Sequence, residues 1–417
     1  MAEIVGESNV LFDDSAQLDS YGYDQVADRR YGHPPEMVVF PENADQISSI
    51  VKIANRDHIP VTPRGGGSGL SGGAVPVYGG ICLSLKRMNR IKEIDVDNLT
   101  VSLEPGVVTK ELDRELEKSG LFFAGYPMSE EFCFIGGNVA ENAGGGRAVK
   151  YGVTGRYVIG LDVVLPNGEQ ISVGGKVYKD VAGYDLLHLF IGSEGTLGIF
   201  TGITLRLLPR PLHRTVVKAH FENDAAALGA VPALLRHRKI APSAIEFIDT
   251  TCLKITRDNQ AGETGLENPL LLIEIDGAGE DHITRRASEV SLLCLAHGGE
   301  VELAENDAEI EELWKIRKQI PWALKKLNPH LTAEDIVVPV ANLPALLQTI
   351  RRLEKTHSVQ IPSFGHAADG NLHSSPMRGA GLTDAEWDSL LHSLLSELYE
   401  TTANLGGTIS GEHGIGH

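Results

Sequence analysis

The stretch FGHAADGNLH, residues 364 to 373, places two histidines around an Asp369-Gly370 pair. An Asp-Gly pair between strand-like segments is a strong signal for a two-residue hairpin turn. The expected register then sets Ala368 opposite Asn371, Ala367 opposite Leu372 and His366 opposite His373. Directly opposed residues have Cβ atoms about 4.5 to 5.5 Å apart, near enough for two imidazoles to share one divalent metal. A third ligand should be anionic, and GGTISGEHGIGH at 406 to 417 offers Glu412 beside His413. Spacing alone leaves a second reading open, in which these are polar residues in unrelated turns.

A second kind of chemistry is spelled by PRGGGSGLSGG, residues 63 to 73, which contains Gly67-x-Gly69-x-x-Gly72. As a dinucleotide fingerprint it would need a helix starting at its second or third glycine, whose N-terminus binds the pyrophosphate. The chain instead continues with AVPVYGG, where Pro76, Gly79 and Gly80 oppose a helix, and then a strand-like ICLSL. A nicotinamide site is therefore not expected. Successive glycine N–H groups can still form an anion nest, to which Arg64 adds charge; taken alone, the stretch could also be a plain loop. Two further glycine clusters, IGGNVAENAGGGRAVKYG from Ile135 to Gly152 and GSEGTLGIF from Gly192 to Phe200, lie in the same half. Three such segments indicate a long ligand wound through one domain.

The elements that must carry these motifs fall into two sets. MVVF (37 to 40) reads as a strand and Asn43 as the cap of a helix with Ile47, Ile50, Val51 and Ala54 at helical spacing. IPVTP, ICLSL, IKEIDV, LTVSLEP and LDVVLPNGEQISV read as further strands, with a helix near 108 to 119 and a hairpin turn at PNGE. Beyond Pro209 to Pro211 the rhythm becomes strand, long helix, strand: TVVKAHF, PLLLIEI and DIVVPV each lead into a helical segment. That alternation predicts an α+β domain with helices on one face of a sheet. The expected division is residues 1–210 and 211–417.

The chain has 417 residues, 42% hydrophobic and 22% charged, with 46 glycines and a formal charge of -19. Two domains fit that length. The negative charge opposes nucleic acid or an anionic membrane as the main partner. Cys82, Cys133, Cys252 and Cys294 show no iron–sulfur or zinc spacing and read as small buried hydrophobes. No apolar run reaches the roughly 18 residues of a membrane span, and MAEIVGESNVLFDDS lacks signal-peptide features. The expected location is a reduced intracellular compartment, cytoplasmic, with attachment to the inner membrane only through a partner.

From about Val38 to Pro209 the three glycine segments match, in order, P-x-G-G-G-[ST]-G-x-x-G, I-G-G-x-x-x-x-N-A-G-G and G-S-E-G-T-L-G-I. The chain thereby resembles the flavin domain of the vanillyl-alcohol-oxidase, or p-cresol-methylhydroxylase (PCMH), superfamily. The resemblance implies a two-subdomain FAD-binding domain. It places the pyrophosphate on Arg64, Gly65, Gly66, Gly67, Ser68, Gly69, Leu70 and Gly73. The isoalloxazine and ribityl region falls near Ser129, Gly136, Gly137, Asn142 and Ala143, with backbone contacts near Ile199. Glu194 is implied either as an FAD contact or as a structural acceptor of loop amides. Relatives with covalent FAD carry a histidine where Ser68 stands, so non-covalent FAD is expected.

G-H-x-x-D-G-N-L-H followed by G-x-I-x-G-E-H-G-I-G is similar to the C-terminal domain of FAD-linked D-2-hydroxyacid dehydrogenases: glycolate oxidase D subunits, D-lactate dehydrogenases and D-2-hydroxyglutarate dehydrogenases. The resemblance implies a mainly antiparallel cap sheet covered by helices. It makes His366, His373 and Glu412 ligands of a divalent metal, zinc being the expected ion, and His413 the catalytic base. Arg317, in LWKIRK, becomes the grip on the substrate carboxylate, and Asn371 a substrate-side residue. A 2-hydroxy acid can chelate such an ion, which lowers its hydroxyl pKa; a neutral histidine takes that proton while the C2 hydride leaves for flavin N5.

Three departures shape the expectation. Relatives usually read G-H-x-G-D-G-N-L-H-P, where this chain has Ala368 and Ser374. The 2-hydroxyglutarate enzymes carry a lysine just before the position of Asp335, where this chain has Thr332, Ala333 and Glu334, which favours D-lactate or glycolate. Family members also continue past G-E-H-G-I-G, so the second domain is expected to be truncated. Electrons would pass to an iron–sulfur subunit, an electron-transfer flavoprotein or quinone, and a homodimer is compatible with the reading. Two alternatives stand beside it: another flavin oxidase on the same scaffold, of aldonolactone oxidase or alkyl-ether-lipid synthase type, which would not need the His366, His373, Glu412 and His413 set; or a catalytically impaired subunit with a binding role.

Overall fold

In the computed structural model, which describes residues 1–26, 28–258, 268–304 and 306–416, the periodic segments of the first half form two small sheets. Val10–Leu11 (β1), Met37–Val39 (β2), Val61–Arg64 (β3) and Ile81–Ser84 (β4) pair in the order β1-β2-β4-β3, with β2 and β3 both parallel to β4. The helix Ala44–Asp57 (α1) makes the crossover. Its N-terminus is held by Asn43, whose side chain accepts from the Gln46 amide, and Ile47, Ile50, Val51 and Ala54 are buried against β2 and β4.

Ile91–Asp95 (β5), Thr100–Leu103 (β6), Val158–Val164 (β7), Gln170–Gly174 (β8) and Ile199–Arg206 (β9) make an antiparallel sheet in the order β5-β6-β9-β7-β8. Helices Thr109–Glu117 (α2) and Ile135–Glu141 (α3) belong to the same unit, which comprises Met1–Gly145, Gly152–Arg210 and Glu412–His417.

No helix follows the first glycine loop; residues 65–80 run as turns and bends into β4. The three glycine segments meet. A Cβ placed on Gly65 would lie 3.6 Å from the Gly137 Cα, while Gly192 and Glu194 donate their amides to Val139 and Ala140, at 3.0 and 2.8 Å. Three carboxylates stand around this meeting point. Asp24 accepts from the Gly72 amide at 2.8 Å, and Glu194 accepts from Ile415 and Gly416 at 3.0 and 2.7 Å. Glu141 Oε2 has no hydrogen-bond partner among the described residues, and burial, with Glu194 and Asp24 nearby, pushes its pKa up to about 8.

The second unit, Gly146–Tyr151 with Pro211–Gly411, is built on a seven-stranded sheet. Its strands are His213–His220 (β10), Ala244–Ile248 (β11), Leu270–Gly277 (β12), Glu300–Leu303 (β13), Glu334–Val337 (β14), Ser363–His366 (β15) and Asn371–Ser374 (β16). They lie in the order β13-β10-β12-β11-β15-β16-β14, antiparallel throughout. Helices Asp224–Arg236 (α4), Glu280–Ala296 (α5), Leu343–His357 (α7) and Asp384–Asn404 (α8) pack their apolar stripes on one face, over Val217, Phe247, Leu271, Ile273, Ile336 and Leu372. Helix Asp307–Leu327 (α6) covers the other face, so the one-sided arrangement expected from the strand–helix rhythm is incomplete. No helix among the described residues is long and apolar enough to cross a membrane.

Leu271, fully buried in the central strand β12, is a test of the apolar face: Leu271→Ala should destabilise the second unit by about 2 to 5 kcal/mol, read by urea denaturation followed by circular dichroism. Glu141 gives a pH test. Its folded pKa lies above its unfolded value, so the folded state binds more protons and stability falls as pH rises from about 4.5 to about 8. In FAD-free protein Glu141→Gln should flatten that part of the melting-temperature profile; a profile identical to wild type would contradict it.

Candidate functional site

Strand alternation decides which side chains of the second unit share a face. Glu246 pairs with His366, Phe364 with His373, His373 with Asp335, and Asn371 with Val337. Paired residues point the same way, and residues two apart on one strand do too. Glu246, Phe364, His366, Asn371, His373 and Asp335 therefore line one face, while their neighbours Phe247, Leu372 and Ile336 enter the helix-covered core. All six are buried.

The hairpin does not have the register expected from its sequence. Ala367–Asp369 form a 3-10 turn closed by Gly370 in the left-handed region (φ 79°), so the connection is longer than two residues. His373 lies opposite Phe364, not opposite His366, which is two residues away along β15. The displacement is even, so both imidazoles keep the same face. They stand diagonally, with ring centroids 5.2 Å apart and planes at 89°. Ala368 lies in the right-handed part of the turn, where its Cβ is unstrained; Gly370 takes the positive φ instead.

Two carboxylates organise this face. Glu246, fully buried, accepts from Arg317 Nε through Oε2 and is bonded to His366 Nδ1 through Oε1, both at 2.6 Å. Burial alone would raise its pKa, but the charges and hydrogen bonds of His366 and Arg317 outweigh it and hold the carboxyl below its ordinary value. The Arg317 guanidinium also lies 4.6 Å from the Phe364 ring centroid. Asp335 accepts from Asn371 Nδ2 at 2.7 Å, Ser410 Oγ at 3.2 Å and the Gly411 amide at 2.8 Å, and its Oδ1 is 3.5 Å from His373 Nδ1. Along the same sheet Glu274 accepts from Trp314 Nε1 at 2.8 Å and pairs with Arg147 at 2.9 Å.

Of the residues singled out in the sequence, Arg317, His366, Asn371 and His373 thus come together in the second unit. Glu412 and His413 follow directly on Gly411 and belong to the first unit, where Glu412 Oε1 lies 3.8 Å from His413 Nε2 and Ser71 Oγ donates to the His413 carbonyl at 2.9 Å. Arg64 ends β3, and Gly65, Gly66, Gly67, Ser68, Gly69, Leu70 and Gly73 lie in the loop after it. Gly136 and Gly137 lie in α3, Asn142 caps it in the left-handed region, and Ala143 comes next. Ser129 stands in the turn before α3, and Ile199 opens β9. Glu194 accepts from the amides of Ile415 and Gly416.

The glycine segments fit a flavin's phosphates and ribityl chain. A Cβ on Gly66 would meet the Phe132 carbonyl at 2.5 Å, Gly67 has φ 66°, and Gly137 opens onto clear space, so the loops form a cradle that side chains would fill. Two imidazoles beside a buried carboxylate likewise suit a divalent ion. Motif and spacing do not single out Glu246 or Asp335 as site residues. The signal available for them is an acid inside the otherwise apolar AIEFI and at the head of DIVVPV.

The model of an FAD binding domain matches residues 35–174, and that of the FAD linked oxidases, C-terminal domain, matches residues 210–417. The chain is 39% identical to the glycolate oxidase subunit GlcD of Bacillus subtilis (strain 168), over 100% of this chain and 87% of that one. It is 36% identical to a D-lactate dehydrogenase of Anaerostipes hadrus, over 99% and 88%. A solved p-cresol methylhydroxylase with substrate bound shares the fold at a TM-score of 0.81 and 20% identity, over 100% of this chain and 88% of that one. With both halves matched and close relatives spanning its whole length, the chain belongs to the FAD-linked oxidases: it is an α+β flavoenzyme of the PCMH type.

Proposed function

We propose that this oxidoreductase converts a small D-2-hydroxy acid, of the D-lactate or glycolate type, to the 2-oxo acid. The glycolate oxidase and D-lactate dehydrogenase relatives supply the substrate class. The observation that carries the reading is the gathering of His366, His373 and Asn371 on one buried sheet face, with Arg317 of α6 bonded to Glu246 on the same face. When bound, non-covalent FAD accepts the C2 hydride, and a divalent ion, zinc by choice of ligands, acidifies the substrate hydroxyl.

The protein's own groups divide the remaining work. Arg317 is held through Nε by Glu246, which leaves its terminal nitrogens to grip the substrate carboxylate. Asn371 donates through Nδ2 to Asp335 and the Ile336 carbonyl, both acceptors, so its amide orientation is set and Oδ1 is the atom left for a ligand hydroxyl. His366 and His373 supply imidazole ligands, Glu412 the anionic one, and His413 takes the hydroxyl proton. Asp335 puts negative charge where a second substrate carboxylate would need a cation, which favours a monocarboxylate, while Glu334 turns to the opposite face, where Tyr399 donates to it. The electron acceptor would be an iron–sulfur subunit, an electron-transfer flavoprotein or quinone.

Anaerobic mixing of metal-loaded holoenzyme with D-lactate, L-lactate, glycolate and D-2-hydroxyglutarate tests the reaction. Flavin absorbance should bleach with D-lactate or glycolate, and slowly or not at all with L-lactate and 2-hydroxyglutarate; protein holding FAD and metal that neither D-lactate nor glycolate bleaches would refute it. His413→Asn should retain FAD and lower kcat by about 10²- to 10⁴-fold, measured by the rate of bleaching at saturating substrate.

A further inference from the structure

Glu246 has no part in binding or proton transfer in that scheme, yet its carboxylate is fully enclosed and engaged on both oxygens. We propose that Glu246 is a positioning residue that fixes two directions at once, the tautomer of His366 and the plane of Arg317. The proposal rests on the reading of His366 as a ligand and of Arg317 as the substrate clamp.

A carboxylate facing Nδ1 of a histidine draws the ring proton to that nitrogen, so the lone pair is presented at Nε2. Glu246 Oε1 is 2.6 Å from His366 Nδ1, directly across the β11–β15 pairing. At Arg317 the second oxygen holds Nε at 2.6 Å and the Phe364 ring lies against the guanidinium, which leaves one orientation for the terminal nitrogens. The third side of the carboxylate is closed by backbone. A Cβ on Gly146 would stand 2.7 Å from Oε1 and 3.4 Å from His366 Nδ1. Arg147 anchors that segment by its ion pair with Glu274. The site therefore offers two donors to two acceptor oxygens and excludes any larger residue at 146. A glutamine has one acceptor and one donor end, so at 246 it can keep Arg317 only by turning its amide nitrogen to His366 Nδ1, which must then give up its proton.

The tautomer is read on FAD-loaded, zinc-free protein labelled with 15N-histidine, the His366 signals being assigned by their loss in His366→Asn. Wild type should show its proton on Nδ1, and E246Q should lose that preference. Zinc affinity of E246Q, by chelator competition, should fall about 10- to 100-fold, and KM should rise more than kcat falls, with FAD absorbance unchanged. Wild-type His366 protonated on Nε2, or E246Q with wild-type zinc affinity and KM, overturns the proposal. If E246Q fails to hold FAD, Gly146→Ala decides, since it keeps every charge and presses on the Glu246 oxygen that meets His366: the same loss of Nδ1 preference is expected, and no change overturns the proposal. Correct tautomers with no bleaching by D-lactate or glycolate would remove the proposed reaction and leave the positioning role standing.

Discussion

An ionised carboxylate withdrawn from water costs several kcal/mol unless its charge and lone pairs are met in place, and Glu246 imposes that requirement on the whole second unit. Its partners come from β15 and from α6, elements far apart in sequence, so the register of β11 against β15 and the seating of α6 answer to one buried charge. Removing one partner of such a pair typically costs about 3 to 5 kcal/mol, because the other charge is left uncompensated. The same logic recurs at Asp335, met by Asn371, Ser410 and Gly411, and at Glu274, met by Arg147, Trp314 and Ser243. The polar face is thus a row of charges each anchored by its neighbours.

The opposite face explains how the sheet tolerates this. Four helices bury leucines, isoleucines and valines against it, and that non-directional burial stabilises the sheet whatever happens on the far side. Antiparallel strands with one apolar and one polar face allow the two tasks to alternate residue by residue. In β16 the sequence Asn371-Leu372-His373 shows it directly: the leucine enters the core while its two neighbours face the site.

Much of this is legible in the sequence, for reasons that differ by element. The helix α1 announces itself through its Asn43 cap and four apolar residues at helical spacing, signals local to one segment. The motif histidines are legible through resemblance, since two such residues near a turn are ambiguous by spacing. The turn itself departs from expectation, because Asp-Gly favours a two-residue hairpin and nothing local reveals that the chain inserts a 3-10 turn ahead of Gly370. The site survives that difference because the slip is by two residues; a slip by one would turn every side chain of the strand to the other face. Glu246 is not legible, since AIEFI reads as a core strand and the partners that make its glutamate tenable arrive only with the tertiary fold.

Fold likeness cannot decide the chemistry here, because the p-cresol methylhydroxylase scaffold overlays the entire chain at only 20% identity. Discrimination must come from the polarity of individual atoms on the polar face. Arg317 can only donate, whatever its surroundings. Asn371 could present either end of its amide, but Asp335 and the Ile336 carbonyl are both acceptors and claim its nitrogen, leaving the oxygen. A ligand meeting both must offer an acceptor group at one end and a donor at the other. A carboxylate beside a hydroxyl meets that demand, a 2-oxo acid meets only the arginine half of it, and an alcohol without a carboxylate only the asparagine half. Under the proposed reaction, the buried Asp335, by fixing one amide, would favour the 2-hydroxy acid over its oxidised product at this face.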